Sequence, residues 1–324
     1  MTIFIIRRLM QSWIVILSMA MIVFSGVYLI GNPVDILINP EASQQEIEDV
    51  IRSLGLDRPL WEQFFHFIAN ALQGDLGNSY VFGSPAIELI FQRMPATLEL
   101  ATTAMLIGII VGVPLGILAG LNPTALSSRF VMGSSIFGFS VPTFWIGMMM
   151  ILCFGVTLNW LPTGGRGETT MLLGIEVSFL TLDGLAHLIM PAFNLALFKL
   201  ALIIRLTRAG TLEVIHQDYI KFARATGQTN KTILFVHVLK NVLIPVVTVL
   251  GLEFGNIVAF SVVTETIFAW PGMGKLIIDS LENLDRPVIV AYLMIIVFMF
   301  ILINLLVDIL YSVLDPRIRL REAR

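Results

Sequence analysis

Long apolar runs are the feature of this sequence that most restricts its fold. Six of them occur, near residues 9–30, 97–120, 131–157, 186–206, 242–264 and 288–311. A helix needs roughly 20 mostly apolar residues to cross the hydrocarbon core of a bilayer, and each run reaches about that length. The sequence therefore predicts an all-α, polytopic membrane protein with about six transmembrane helices.

The composition also indicates a membrane protein. Of the 324 residues, 56% are hydrophobic and 13% are charged, whereas soluble domains average roughly 45–50% apolar and about 25% charged residues. The net charge of −3 argues against a nucleic-acid partner. The single cysteine, Cys153, lies inside an apolar run, so neither a disulfide framework nor a thiolate metal site is expected. The sequence suggests no cofactor.

The positions of Lys and Arg predict that both termini face the cytoplasm. With the N-terminus inside, the cytoplasmic segments contain most of the basic residues, namely Arg7, Arg8, Arg129, Arg205, Arg208, Lys221, Arg224, Lys231, Lys240, Arg317, Arg319, Arg321 and Arg324. The first outer loop is instead rich in acidic residues. The first apolar run is longer than the core of a cleaved signal peptide, so we expect a retained helix.

The first outer loop, residues 31–95, is long enough for local structure. Ser43 is a candidate N-cap, and the spacing of apolar residues after it predicts two short amphipathic helices. In the second helix, Trp61, Phe64 and Phe65 either pack against the bundle or form a belt at the membrane surface. The sequence leaves both possibilities open.

Glycines recur at four-residue spacing in the second span, at Gly108, Gly112, Gly116 and Gly120. Lipid tails are as apolar as leucine, so membrane helices associate by close approach through small residues. The stripe therefore predicts a helix-packing face, covered either by another helix of this chain or by a second subunit. A shorter stripe of small residues lies at 251–259.

Four charged residues fall at membrane depth, at Glu99, Lys199, Glu253 and Asp308. Such residues are costly in lipid and are candidates for function. Glu99 and Asp308 lie near the ends of spans, where a structural role is expected. Glu253 is nearer the middle of its span and is predicted to line a wet cavity, and Lys199 is predicted to pair with a carboxylate.

A polar, basic segment of residues 207–240 separates the fourth and fifth spans. Read as one helix, its apolar stripe consists of Leu212, Ile215, Tyr219, Phe222 and Ala223. Such a helix suits insertion into the groove of a soluble partner, and Gly227 offers a left-handed residue at its end. The alternative is a solvated helix on the membrane surface that has no partner.

The motifs of common enzymes are missing from the sequence. The fragment PGMGKLI at 271–277 lacks the first Gly and the final Ser or Thr of a phosphate-binding loop. There is no G-x-S-x-G nucleophile elbow and no H-E-x-x-H helix. We therefore predict that the chain is not an enzyme.

Several long motifs occur in an order that resembles a known family. They are TLELA at 97–101, PLGILAG at 114–120, LPTGGRG at 161–167, DYIKFARATG at 218–227, ETIFAWPGMGKL at 265–276 and NLLVDILYSVLDPRIR at 304–319. With the opening Arg pair they resemble the membrane-spanning permease subunits of bacterial ABC importers for peptides, of the dipeptide/oligopeptide B-subunit type. The resemblance covers essentially the whole chain.

The resemblance implies a single permease domain, 1–324, with the type I ABC importer permease fold in the cell inner membrane. Loop 31–95 would be periplasmic, and segment 207–240 would couple to an ATPase. The implied coupling residues are Asp218, Tyr219, Lys221, Phe222, Ala223, Arg224, Ala225 and Gly227. Of the general importer pattern, an E-A-A triplet followed by Gly, only Ala223 and Gly227 match.

The resemblance also implies a function and its partners. The chain would form half of the path for di- or oligopeptides, opposite a second, non-identical permease subunit. Two cytoplasmic ATP-binding subunits and a periplasmic binding protein would complete the importer. Glutathione, nickel chelates and sugars remain open as substrates. The alternative class, a proton- or ion-coupled secondary transporter, usually contains inverted repeats, and the sequence shows no convincing repeat.

Overall fold

The computed structural model describes residues 2–29, 43–53 and 57–314. The helices in these ranges are α1 (Thr2–Leu29), α2 (Gln44–Ser53), α3 (Leu60–Leu72), α4 (Ala86–Leu121), α5 (Leu126–Ser140), α6 (Thr143–Thr157), α7 (Leu182–Ile215), α8 (Asp218–Ala225), α9 (Asn230–Phe260), α10 (Val262–Ile267), α11 (Met273–Glu282) and α12 (Arg286–Leu314). The predicted helical class is confirmed. A small antiparallel hairpin, β1 (Thr170–Leu172) and β2 (Ile175–Val177), was not predicted.

Some predicted features lie outside the described residues. They are loop residues 30–42 and 54–56 and the C-terminal residues 315–324, which include Arg317, Arg319, Arg321 and Arg324. The side chains of Arg7, Arg8 and Asp308 also lie outside them, although the backbone of each belongs to a described helix.

Four described helices are long and apolar enough to cross a membrane: α4, α7, α9 and α12, the last counted to Val307. Helices α5 and α6 make a fifth span only if they are counted as one element, because they are bent by 101° at the break between them. In α1 the apolar part is Trp13–Gly26, which is shorter than the roughly 20 residues that a straight span needs. Within the described residues, up to five of the six predicted spans thus meet the length and composition of a crossing helix.

The break between α5 and α6 corrects the prediction of one continuous run over 131–157. Val141 is extended, with φ −89° and ψ 134°, and Pro142 follows it. Proline disfavours the helical conformation of the residue before it and has no N–H to donate. The Pro142 carbonyl then accepts from the Trp145 and Ile146 amides, which starts α6. An apolar run alone does not reveal this bend.

The described residues divide into two compact units. The first lies within Met1–Pro95 and Pro271–Ile301, and the second lies within Ala96–Trp270 and the residues from Leu302 onward. Each is described separately below. A single domain spanning 1–324 remains a prediction.

In the first unit, α2 and α3 are the two short helices predicted for the outer loop. Ser43 caps α2 as expected, because its Oγ accepts from the Glu46 amide at 3.4 Å while the Glu46 carboxylate accepts from the Ser43 amide at 2.8 Å. This reciprocal pair is a capping box, which satisfies two amides that the helix itself leaves free.

The three aromatic residues singled out in α3, Trp61, Phe64 and Phe65, differ in their contacts, and of these Phe64 is seen to pack against another helix. The Phe64 ring packs edge-on against Phe24 of α1, with ring centroids 5.3 Å apart. Trp61 and Phe65 are each 65% exposed. Phe64 thus attaches α3 to the first apolar helix, while the other two rings remain available to a membrane surface or a partner.

Asp285 fixes the loop before α4 within the same unit. Its carboxylate accepts hydrogen bonds from the Ser79 hydroxyl and from the Tyr80 amide, the latter at 3.1 Å. Burial raises the pKa of the Tyr80 phenol, an effect that the positive charge of Arg286 partly offsets and the negative charge of Asp285 reinforces. The loop is therefore held by buried polar contacts to the residue just before α12.

The core of the second unit forms around Trp270. This side chain is fully buried with Ala96, Leu100, Leu188 and Ala192, and its indole Nε1 donates to the Ala96 carbonyl at 2.9 Å. A buried indole N–H needs such a partner. The hydrogen bond and the packing of Trp270 together join α4 and α7 to the turn that follows α10.

Candidate functional site

Helix α8 carries most of the predicted coupling residues, but it is shorter than the predicted helix. Helix α7 ends at Ile215, Gln217 is extended with φ −68° and ψ 150°, and α8 begins at Asp218. The Gln217 carbonyl accepts from the Ile220 amide at 3.1 Å and so starts the new helix. The prediction of one helix joining Leu212 and Ile215 to the residues after 217 is therefore wrong.

The two faces of α8 differ in exposure. Ile220 is fully buried and Ala223 is 3% exposed, whereas Tyr219 and Phe222 are 44% and 70% exposed. The buried face packs against the first turns of α9, over Ile233–Val238. The predicted stripe therefore separates: Ala223 faces the protein and the two aromatic rings face outward. Ile220, which the sequence reasoning missed, is detectable from its three-residue spacing to Ala223.

The polar positions of α8 are exposed. Lys221 Nζ lies 2.8 Å from Asp218 Oδ1, and this hydrogen bond, followed by the charge of Lys221, lowers the pKa of the Asp218 carboxyl. Arg224 and Ala225 are also exposed near the C-terminal end of the helix, where a cation favours the helix dipole. An exposed ion pair contributes little to stability. Because its two side chains are exposed, a partner can reach this face of the helix.

Gly227 ends α8 in the predicted left-handed conformation, with φ +80°. Its amide donates to the Arg224 carbonyl at 3.0 Å, and the Gln228 amide donates to the Ala223 carbonyl at 3.1 Å. These two bonds form a Schellman motif. A Cβ at this position would meet nothing within 4 Å, so glycine is required for its backbone conformation rather than for space.

The glycine stripe of α4 lies against α7 of the same chain. A side chain on these glycines would collide with α7. A Cβ added at Gly112 would lie 2.8 Å from Ile203 Cγ2. A Cβ added at Gly116 would lie 2.5 Å from Thr207 Cβ, and one added at Gly120 would lie 2.6 Å from Thr211 Cβ. Gly108 meets Ile203 in the same way. The α7 residues are themselves four apart, so the two stripes run along each other. Of the two partners left open by the sequence, the structure places a helix of this chain on the stripe.

Glu99 holds the segment between α6 and α7 against the second unit. Its carboxylate accepts from Arg166 Nη2 at 2.7 Å, from the Ser178 amide at 2.7 Å and hydroxyl at 2.9 Å, and from the Phe179 amide at 2.9 Å. The Arg166 guanidinium also lies 5.9 Å from the centroid of the Trp270 ring. The predicted structural role of Glu99 agrees with this geometry, because all of these partners belong to the loops between α6 and α7 or to the core.

Lys199 of α7 and Glu253 of α9 form an ion pair, which confirms the prediction that Lys199 meets a carboxylate. The two side chains are 12% and 21% exposed. They lie in a cavity of about 490 Å³, as predicted for Glu253, whose lining consists of Thr143, Leu195, Phe198, Lys199, Glu253, Asn256, Ile257, Phe260, Val263 and Thr264. Within the described ranges, no three His, Cys, Asp or Glu side chains meet as metal ligands.

Comparison with protein families decides the class of the chain. A family model described as "Binding-protein-dependent transport system inner membrane component" matches residues 112–320. A model for the N-terminal part of such membrane components matches residues 1–101. The chain belongs to this family. It is a multi-pass inner-membrane permease component, a class that works with ATPase and binding-protein subunits and is not itself enzymatic.

Several curated permeases are similar to this family member over nearly their whole length. The dipeptide transport system permease protein DppB of Escherichia coli (strain K12) is 39% identical, over 98% of each chain. The glutathione transport system permease protein GsiC of Escherichia coli O6:H1 is also 39% identical, over 98% of each chain. The oligopeptide transport system permease protein AppB of Bacillus subtilis (strain 168) is 38% identical, over 97% of this chain and 98% of its own.

Solved structures support the fold of the permease. Two inward-facing crystal forms of the MetNI methionine ABC transporter match it with TM-scores of 0.53 and 0.56. Each match covers 70% of this chain and 96% of the other, at 18% and 19% identity respectively. The predicted type I ABC importer permease fold is thereby confirmed, while identities this low say nothing about the substrate.

Proposed function

We propose that this permease forms half of the translocation path of an ATP-driven importer for di- or oligopeptides. The observation that carries the proposal is the full-length similarity to a dipeptide permease, at 39% identity. A glutathione permease is equally similar, so glutathione, itself a short peptide, falls within the same substrate class. A periplasmic binding protein delivers the substrate to the outer side.

The partners follow from the same proposal. A second, non-identical permease subunit forms the other half of the path, and two cytoplasmic ATP-binding subunits supply the energy. Both termini of this chain are cytoplasmic, residues 31–95 form a periplasmic loop, and 207–240 is the coupling segment of a single domain, 1–324.

Helix α8 is the contact for the ATPase in this proposal. Ile220 and Ala223 fix the helix to the first turns of α9, while Tyr219 and Phe222 project from its other face. Aromatic side chains of this kind often dominate binding when they enter a pocket of a partner. Because the inner face is attached to α9, a movement imposed on Phe222 is passed into a membrane-spanning helix.

A single substitution tests this role. Phe222→Ala removes the most exposed ring of α8 and leaves its buried face unchanged. In the complete importer reconstituted in proteoliposomes, we expect ATP-driven dipeptide uptake to fall about tenfold or more, because truncating an aromatic anchor typically costs about 2 kcal/mol or more. The matched control is Phe65→Ala, which removes a ring of similar exposure from α3.

Two results would contradict the proposal. Uptake that is as fast in Phe222→Ala as in the wild type would exclude coupling through this ring. Uptake by the wild type that persists without ATP and collapses with the proton gradient would instead indicate a secondary transporter.

A further inference from the structure

The cavity that contains Lys199 and Glu253 is not explained by the coupling role of α8. It lies entirely within the second unit, where α6, α7, α9 and α10 each contribute to its lining. Resting on the proposed function, we propose that this cavity binds the charged ends of a short peptide. The class of ligand is a dipeptide-sized zwitterion with a free α-ammonium and a free α-carboxylate.

The ion pair between Lys199 and Glu253 is not expected to stabilise the helix bundle. Taking both charges out of water is costly, and replacing such a pair by apolar side chains is often neutral or even stabilising. Intramembrane ionisable residues are instead expected to mark sites that handle polar solutes. The pair of Lys199 and Glu253 is largely withdrawn from solvent yet open to a cavity, which is the arrangement expected of a binding site.

Glu99, in the same unit, shows the hydrogen bonding of a carboxylate that has a structural role. Its two oxygens receive hydrogen bonds from Arg166, Ser178 and Phe179, which leaves little further capacity. Among the residues that the structure describes, Glu253 accepts a hydrogen bond from Lys199 and a second, long one, at 3.5 Å, from Asn256 Nδ2. The carboxylate at the cavity therefore retains acceptor capacity that the structural one lacks.

A zwitterion can replace the internal pair without leaving a charge alone. The α-carboxylate of a peptide would bind the Lys199 ammonium, and its α-ammonium would bind the Glu253 carboxylate. Each charge exchanges one partner of opposite sign for another, so the penalty for an unpaired charge in a largely buried site is avoided. A ligand with only one charged end would leave one member of the pair without a partner.

The size and lining of the cavity also fit a dipeptide. Its volume of about 490 Å³ falls in the range of roughly 300–1,000 Å³ that is typical of small-molecule sites. The charged ends of an extended dipeptide lie about 7 Å apart, so the Lys199 ammonium has to move away from the Glu253 carboxylate to bind one end, a movement that its flexible stem allows. Phe198, Leu195 and Phe260 supply apolar walls that contact side chains without selecting their charge.

The test measures binding to the assembled importer in nanodiscs, without the binding protein and without ATP. The probe is radiolabelled alanyl-phenylalanine, compared with its N-acetylated, C-amidated form. The double variant Lys199→Met/Glu253→Gln removes both charges together, so no buried charge is left unpaired. We expect its Kd for the free dipeptide to rise about tenfold or more, as the loss of charge-assisted hydrogen bonds predicts.

Two controls separate binding from folding. Lys275→Met makes the same change on α11, outside the cavity, and should leave the Kd unchanged. The swapped variant Lys199→Glu/Glu253→Lys keeps one charge of each sign and should bind the free dipeptide more tightly than the double neutral variant does. Both cavity variants are compared with the wild type for assembly and thermal unfolding.

The inference is overturned if the double neutral variant binds the free dipeptide as tightly as the wild type, or if the wild type does not prefer it over the blocked form. Failure of the proposed function is read separately, from ATP-driven uptake by the wild-type importer with its binding protein. Uptake with an unchanged Kd in the variant contradicts only the cavity site, whereas a wild type that imports no peptide contradicts the proposed function.

Discussion

At the scale of single residues, the charged groups at membrane depth have different roles that sequence position alone separates only in part. The position of Glu99 near the end of a span indicated a structural role, and the distance of Glu253 from the ends indicated a cavity. Their partners were not predictable in the same way. Arg166 and Glu253 lie 67 and 54 positions from Glu99 and Lys199 respectively, so only the folded chain brings these pairs together.

The contacts of Glu99 lead to a prediction about stability. Glu99→Gln removes the negative charge and leaves the Arg166 guanidinium, whose side chain is 9% exposed, without its counter-charge. Breaking a buried pair on one side typically costs about 3–5 kcal/mol. We expect a clearly lower thermal unfolding temperature for the purified protein in detergent.

Glu88→Gln is the control, because this residue lies on the same helix and is exposed. It should unfold at the temperature of the wild type. Equal unfolding temperatures for the two variants would show that the Glu99 carboxylate does not hold the segment between α6 and α7.

At the scale of elements, the sequence identifies faces more readily than it identifies what covers them. The four-residue spacing of glycines marked one side of α4, but the same spacing suits a helix of this chain and a helix of another subunit. The end of α8 was predictable because Gly227 can adopt the left-handed conformation. The break before α8 was not, because no glycine or proline interrupts the helical pattern at Gln217. The chain changes direction at Gln217, and Ile220 is then buried against α9.

The contact between α4 and α7 predicts a sharp dependence on side-chain size. In Gly116→Ala the added Cβ would lie 2.8 Å from the Ile204 carbonyl oxygen, a backbone atom that moves only with its helix. Overpacking of this kind typically costs about 1–3 kcal/mol, so we expect reduced thermal stability.

Gly133→Ala is the matched control on α5, where a Cβ would meet nothing within 4 Å. Alanine is the better helix former by about 0.5–1 kcal/mol, so this variant should be as stable as the wild type or more so. The packing account fails if the two alanine variants have the same stability.

At the scale of the whole molecule, apolar runs were enough to predict the class and the approximate positions of the spans. They could not reveal that Pro142 bends the third span or that the loop between α6 and α7 forms a hairpin. The turn of that hairpin is Leu173–Gly174, in which Leu173 has φ +52° and is 96% exposed. Leucine rarely occupies such a position, so the local sequence gave no turn signal of the usual Asn-Gly or Asp-Gly kind.

Photo-crosslinking from position 222 tests most directly whether α8 receives its movement from an ATPase. A photoreactive amino acid replaces Phe222 in the complete importer in native membranes, and a second sample carries it in place of Phe65. The account predicts a covalent adduct between position 222 and an ATP-binding subunit, and none from position 65. Absence of that adduct, or an adduct between position 222 and a protein of the outer compartment, would contradict it.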